Sequence, residues 1–379
     1  MHRMRPTIAI DCRPMAGQPT GVGRFLSMIV DALELLPVEV RAYIRLKPHA
    51  PIGTRAQVVT IESRGIFWHT SVVRDLARRP VSAYLSTSLL IPALSRVPAL
   101  PLILDTTTYV VPELHRFRTL AFERALMPLV VRRRTVLTMS RTSAEDITRF
   151  ARPTRPVLVV PPWVEERVTP PDASARVAGL GLVRPYVMFV GTVEPRKNLP
   201  VVTRAVESLR RAGLDIRLAV VGSMGWADPQ LRQLVETASM SGVVVRTGYL
   251  SDADRDAAYS FATAVVMPSV YEGFGLPVIE AMSRGVPVLC SSAPALAEAA
   301  AGAAIILDPH DVRGWATMIR RLVEDADLRA RYVTDGAARA KWFTKERTAT
   351  ALANAFYETG LVEFPLKPRT VASVDSRAG

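Results

Sequence analysis

The sequence predicts an α/β protein made of two doubly wound, Rossmann-like domains. Three observations carry this. Short apolar runs alternate with segments of helical spacing along almost the whole chain. A Pro-rich stretch, Pro161-Pro162-Trp163 and then Thr169-Pro170-Pro171-Asp172, interrupts the alternation near the middle, after which it restarts. The chain has 379 residues, 49% hydrophobic and 22% charged, enough for two sizeable cores. The expected units are domains over 1–165 and 166–345, a C-terminal helix over 346–362 packing back on the first domain, and a disordered tail over 363–379.

In the first half, residues 7–12 read as a strand, followed by a loop with Gly17, Gly21 and Gly23 and an amphipathic helix to Leu36. Gly21-Val22-Gly23-Arg24 after a strand is a weak dinucleotide fingerprint, since the third glycine is missing. Strands over 39–46 and 57–61, a helix over 67–77, and strands near Ala83 and Leu102 come next. The apolar stretch 84–104 carries Pro92, Pro98, Pro101 and Arg96, so it reads as buried strands with connections rather than a membrane span. A helix over 117–134 ends in Arg132-Arg133-Arg134, which suits its C-terminal dipole. Strands near Val136 and Leu158 bracket a helix opening at Ser140 or Thr142.

The second half restarts with a strand over 186–190 and the loop Gly191-Thr-Val-Glu-Pro-Arg-Lys-Asn198, leading into a helix to Ala212. Strands over 216–221 and 243–246 follow, with a helix to Ser239 between them and one capped by Ser251 after them. A buried strand over 264–267 then feeds Pro268-Ser269, Glu272, Gly273-Phe274-Gly275 and a helix over 276–284 that carries Glu280. A loop entering a helix offers unpaired N–H groups, glycines let backbone approach a ligand, and the two carboxylates accept hydrogen bonds from hydroxyls. Taken alone, such a turn is most often ordinary loop chemistry. Helices from Pro294 and from Val312 to about Tyr357, with a strand over 304–307 between them, complete the unit.

Charge and cysteine content narrow the class. Residues 1–165 hold 23 Lys and Arg against 12 Asp and Glu, a net +11; residues 166–379 hold 25 against 23, a net +2. A basic half beside a neutral one points to an anionic partner: membrane lipid, lipid phosphate or nucleic acid. The first-half arginines are not interleaved with aromatics and no nucleic-acid motif is present, which argues against nucleic acid. Two cysteines, Cys12 and Cys290, lie far apart, as expected of packing residues in a reducing compartment. The apolar run over 6–11 is too short for a signal peptide, so the expected location is cytoplasmic, peripheral on the inner face of the membrane.

The segment 268–289 resembles the Glu-x7-Glu signature of retaining glycosyltransferases of family 4, down to the flanking Pro-Ser, the Gly-Phe-Gly and the Glu-Ala-Met. The resemblance spans about 7–360, is strong over 186–308, and implies the two-domain GT-B fold with the domains facing a cleft. It implies that Arg196 and Lys197 bind the donor diphosphate and that Glu272 contacts the donor sugar. Glu280 would take the ribose hydroxyls, and the amides of Gly273, Phe274, Gly275 and Leu276 would support sugar and phosphate. Tyr249-Leu250 resembles the base-binding segment, Gly21 and Gly23 the loop that meets the donor phosphates, and Asp105 falls on the acceptor side. Two positions depart from the family pattern: Thr192 stands where many members have arginine, and Leu104 where many have histidine before Asp105.

The implied activity is metal-independent, retaining transfer of a hexose from a nucleotide-sugar to a saccharide, with no cofactor. The Glu-Pro-Arg-Lys-Asn subgroup resembles mannosyltransferases of bacterial surface polysaccharide synthesis, which suggests GDP-mannose as donor, a lipid-linked or oligosaccharide acceptor, and an anionic membrane surface nearby. Two alternatives stay open: a nucleotide-sugar epimerase or hydrolase of the same fold, and a basic nucleic-acid-binding protein. Asp252, Asp254 and Asp256 lack the glycine and distal glutamate of a calcium loop and read as acids in a helix's first turn.

Overall fold

The computed structural model describes residues 5–18, 20–48, 51–114, 117–165 and 169–362. The expected tail over 363–379 lies outside them. The first sheet contains β1 (Thr7–Asp11), β2 (Glu39–Ile44), β3 (Gln57–Thr60), β4 (Ala83–Ser86) and β5 (Ala99–Pro101), all parallel, in the order β3-β2-β1-β4-β5. A parallel pair, β6 (Val136–Thr138) and β7 (Val157–Val159), is joined to its edge through a Leu102–Leu137 bridge. The second sheet contains β8 (Tyr186–Val190), β9 (Arg217–Val221), β10 (Val244–Gly248), β11 (Ala264–Met267), β12 (Val288–Ser291) and β13 (Ile305–Leu307), parallel in the order β10-β9-β8-β11-β12-β13.

In both sheets the chain reverses direction at the first strand, so β1 lies between β2 and β4 and β8 between β9 and β11. Such a switch point opens a crevice beyond the carboxyl ends of the strands, where open α/β sheets bind ligands. Strand β8 shows why the alternation was legible. Every residue is buried, with Val187 and Phe189 in one core and Tyr186, Met188 and Val190 in another, as a strand covered on both faces requires.

Three helices, Ile66–Arg78, Leu90–Leu94 and Phe117–Arg133, lie on one face of the first sheet. The first contributes Trp68, Val72 and Leu76, and the second Ile91, to a core with Ala9 and Tyr84. The third adds Met127, Val130 and Val131 beside Ala93 and Ile103. The opposite face is covered by helix Gly21–Leu33, whose Phe25 and Ile29 share a core with Leu352 and Phe356 of helix Lys345–Glu358. The connector is tied down there: Trp163 Nε1 donates to Met28 O at 2.9 Å and Val164 N to Phe343 O at 3.0 Å.

The structure corrects several boundaries. The first helix begins at Gly21, so Gly21 and Gly23 form its first turn rather than a preceding loop, and it ends at Leu33. The stretch expected as strands and connections holds the helix Leu90–Leu94, because a short apolar run has no period that separates strand from helix. The strand expected near Leu102 ends at Pro101.

Candidate active site

The strand–loop–helix units that follow β8 and β11 meet at the crevice. After β8 the chain turns at Gly191 (φ +145°), and a Cβ on Gly222 beyond β9 would lie 2.2 Å from the Gly191 carbonyl oxygen. Only glycine at 222 permits that approach. A single 3₁₀ turn, Pro195–Lys197, then presents two cations, and Asn198 in the left-handed region (φ +50°) starts helix Leu199–Arg211. Asn198 Nδ2 donates to Pro268 O at 3.2 Å and Pro309 O at 2.6 Å, fixing this turn to the Glu272 loop.

Glu272 sits between the two cations. Its Oε2 accepts from Arg196 Nη1 at 3.0 Å; its Oε1 accepts from Lys197 Nζ and, at 2.7 Å, from Ser269 Oγ. All three charged side chains are largely buried, Glu272 more than nine-tenths. Burial pushes the carboxyl up, but the Lys197 and Arg196 charges outweigh it and hold Glu272 at about 2. Arg196 also bonds Glu194 at 3.1 Å. A desolvated pair of cations on the strand edge is a ready site for a diphosphate.

Glu280, one turn into helix Leu276–Ser283, occupies a second buried cluster. It pairs with Arg24 of the first half at 2.6 Å and accepts from Tyr259 Oη at 3.0 Å. Burial again raises its carboxyl, and Arg24, Arg255 and Arg284 together hold it at about 2. The two glutamates therefore do not share one surface: each anchors its own group of cations.

A cavity of about 370 Å³ gathers most of the expected residues: Gly21, Asp105, Arg196, Lys197, Tyr249, Leu250, Glu272, Gly273, Phe274, Gly275 and Leu276. Gly23 and Glu280 line an adjoining cavity of about 490 Å³, which shares Arg24, Tyr249 and Arg255 with the first. The Phe274 ring is buried edge-on against Phe343 at 5.6 Å, so its side chain is core and only its backbone faces the crevice. Gly275 (φ +98°) precedes the helix, and Leu296 would meet any Cβ there at 2.4 Å. The three aspartates of helix Asp252–Phe261 are engaged with arginines: Asp252 with Arg255, Asp254 with Arg176 and Asp256 with Arg284.

Residues that sequence reasoning left out bind the two halves together. Ser140 Oγ and Ser143 Oγ donate to Gly273 O at 2.6 and 3.0 Å. Tyr271 Oη donates to Asp146 at 2.7 Å and lies 2.9 Å from Thr106 Oγ1. Arg24 carried a local signal, its place in Gly-Val-Gly-Arg; the others carried none.

Residues 174–339 match the family model described as glycosyl transferases group 1. The match takes in all six strands of the second sheet. Over 172 residues the chain is 38% identical to the O-antigen chain mannosyltransferase B of Escherichia coli, covering 45% of each chain. Over 208 residues it is 29% identical to a D-inositol 3-phosphate glycosyltransferase of Paenarthrobacter aurescens, covering 53% of this chain and 51% of the other. The matched region thus spans about half the length of these curated relatives. The Anabaena protein HepE, solved in complex with UDP-glucose, superposes with a TM-score of 0.74 at 18% identity, covering 93% of this chain and 100% of that one. The fold is the GT-B arrangement of two Rossmann-like sheets.

Proposed function

We propose that this chain is a retaining, metal-independent hexosyltransferase that moves mannose from GDP-mannose to a saccharide, lipid-linked, in surface polysaccharide synthesis. The observation that carries the reading is the buried Arg196–Glu272–Lys197 cluster at the carboxyl edge of β8, opposite Gly21 and Arg24. Identity with a curated mannosyltransferase supports the choice of sugar.

The reaction follows from what these groups can hold. Arg196 and Lys197 take the donor diphosphate and stabilise the charge that grows as the sugar C1–O bond breaks. Glu272 keeps both cations charged and oriented, and its free lone pairs accept from sugar hydroxyls. The acceptor hydroxyl attacks C1 from the face the diphosphate leaves, and its proton passes to a leaving phosphate oxygen. The first half, with Asp105 at the crevice, presents the acceptor. The two cations do the electrostatic work a divalent ion would otherwise do.

The test is product analysis with a panel of nucleotide-sugars, each with and without a saccharide acceptor, in EDTA. Transfer from GDP-mannose in EDTA, with the anomeric configuration kept, is expected. Donor turnover without acceptor would replace this reading with the epimerase or hydrolase; a requirement for Mn²⁺ or Mg²⁺ would remove metal independence.

A further inference from the structure

Helix Phe117–Arg133 shows an unusual outward face. Met127, Val130 and Val131 point into the core, while Phe122, Ala125, Leu129 and Arg132 are exposed. These recur at i, i+3, i+7 and i+10, one continuous stripe along the helix. Phe122 and Leu129 are 44% and 41% exposed where a solvated helix would carry polar side chains. The stripe ends in Arg132 and Arg133, both exposed, and Arg133 Nη1 donates to Ala93 O at 3.3 Å. That bond places Leu94, 69% exposed, at the same end of the helix.

Charge on this layer is one-sided. Glu123 is the only acid in the helix; it is half-buried and accepts from Thr108 Oγ1 at 2.8 Å. Two arginines of this layer are engaged within the protein. Arg134 donates to Pro92 O and Ser95 O, and Arg79 is held by Asp75. Arg132, Arg133 and Arg78 remain exposed, on helices that pack against the same sheet face.

We infer that the outward stripe of helix Phe117–Arg133, with Leu94 beside it, is a docking surface for an anionic lipid bilayer. Apolar side chains in a row, edged by arginines and without exposed acid, fit the headgroup–acyl boundary: Phe122, Leu129 and Leu94 enter the acyl layer and the guanidiniums stay at phosphate level. A protein partner of ordinary composition offers no such graded surface, and nucleic acid gives the apolar side chains nothing to enter. Among the described residues no helix is long and apolar enough to cross a membrane. The inference rests on the surface alone, although a lipid-linked acceptor would place the proposed reaction at the same location.

The test is co-sedimentation of the full chain with phosphatidylcholine vesicles, with and without phosphatidylglycerol, at low and high salt. Binding is expected only with phosphatidylglycerol, falling as salt rises, each arginine being worth about fivefold. Phe122→Ser with Leu129→Ser leaves the charge unchanged and should weaken binding by about tenfold or more, with the thermal midpoint preserved. Both native cysteines are buried, so Phe122→Cys takes a polarity-sensitive dye selectively, and its emission should shift to the blue on anionic vesicles. Equal binding to neutral vesicles, unweakened binding by the double variant, or self-association that the double variant abolishes would each overturn the proposal. Transfer to a soluble acceptor is a separate readout: its loss in the wild-type chain, with vesicle binding intact, would remove the proposed reaction and leave this surface standing.

Discussion

Arg24 and Glu280 form an ion pair at 2.6 Å that joins the first helix of one half to the helix behind the Gly273 turn of the other. Glu280 is 1% exposed and the Arg24 side chain 24%, so the carboxylate is buried while the guanidinium still reaches the cavities. It ties the halves together at the point where their two cavities meet. Arg24→Ala leaves Glu280 with Arg255, Arg284 and Tyr259, and the fold should persist. The cleft loses its charge tie. The expected result is a larger radius of gyration by small-angle scattering and weaker donor binding by calorimetry. Unchanged scattering and affinity would mean that the remaining contacts between the halves, Glu298 with Arg141 and Thr142 among them, hold them closed.

Acid should unfold the protein by protonating the same clusters. Glu272 and Glu280 both have folded-state values of about 2 against an ordinary 4.5. A depressed carboxylate contributes stability that is fully present above about 4.5 and lost as pH falls toward 2. Each contributes about 3 kcal/mol at neutral pH by linkage. Denaturant unfolding between pH 6 and pH 3 should show stability dropping over that window (roughly two protons taken up). A flat profile there would contradict the charge assignment of both clusters.

Lys197→Ala should abolish transfer while the chain stays folded. It removes one of the two cations proposed to hold the donor diphosphate, at a cost of about 3 kcal/mol or more in the transition state, at least a hundredfold in turnover. Glu272→Ala differs, because it leaves Lys197 buried without its counter-charge and Arg196 with Glu194 in place of two carboxylates. Breaking a buried pair from one side costs about 3–5 kcal/mol of stability, so this variant should lose activity and melt early. Thermal melts separate the two cases. Near-native turnover in Lys197→Ala would remove the lysine from the site.

How much of this was legible in the sequence follows from what is local. Strands such as Tyr186–Val190 and Ala264–Met267 announce themselves because both faces are buried and every position is apolar. Arg196, Lys197, Glu272 and Glu280 were legible because each lies inside a short motif at a strand end. The clasp between the halves was not: Ser140 meets Gly273 O across 133 residues of chain, and Tyr271 meets Asp146 across 125. Serine and tyrosine are ordinary residues at those positions, and only the docking of two sheets makes them partners. The exposed stripe of helix Phe117–Arg133 escaped for a related reason. Residue type does not say whether Phe122 and Leu129 face the core; burial alone shows which apolar residues the fold leaves outside.

At Gly273 the backbones of the two halves approach closely beside the crevice. A Cβ there would lie 2.3 Å from the Leu104 carbonyl oxygen and 2.9 Å from Asp105 Cβ. The first obstacle is backbone, which cannot rotate away as a side-chain tip could. Gly273 O also accepts from Ser140 and Ser143, so the turn cannot shift without giving up two hydrogen bonds. Gly273→Ala therefore forces the loops apart by a fraction of an ångström or more. Lost hydrogen bonds of this kind cost about 1 kcal/mol each, well within the stability of a folded domain. The fold should survive, and closure should not. Displacing Asp105, on the proposed acceptor side, relative to Glu272 by about 1 Å is expected to lower turnover about a hundredfold. Binding of the nucleotide moiety to the second half should be nearly unchanged. Steady-state kinetics together with nucleotide calorimetry check this: turnover within a few-fold of wild type would show that the approach of Gly273 to Leu104 and Asp105 is not part of the reacting arrangement.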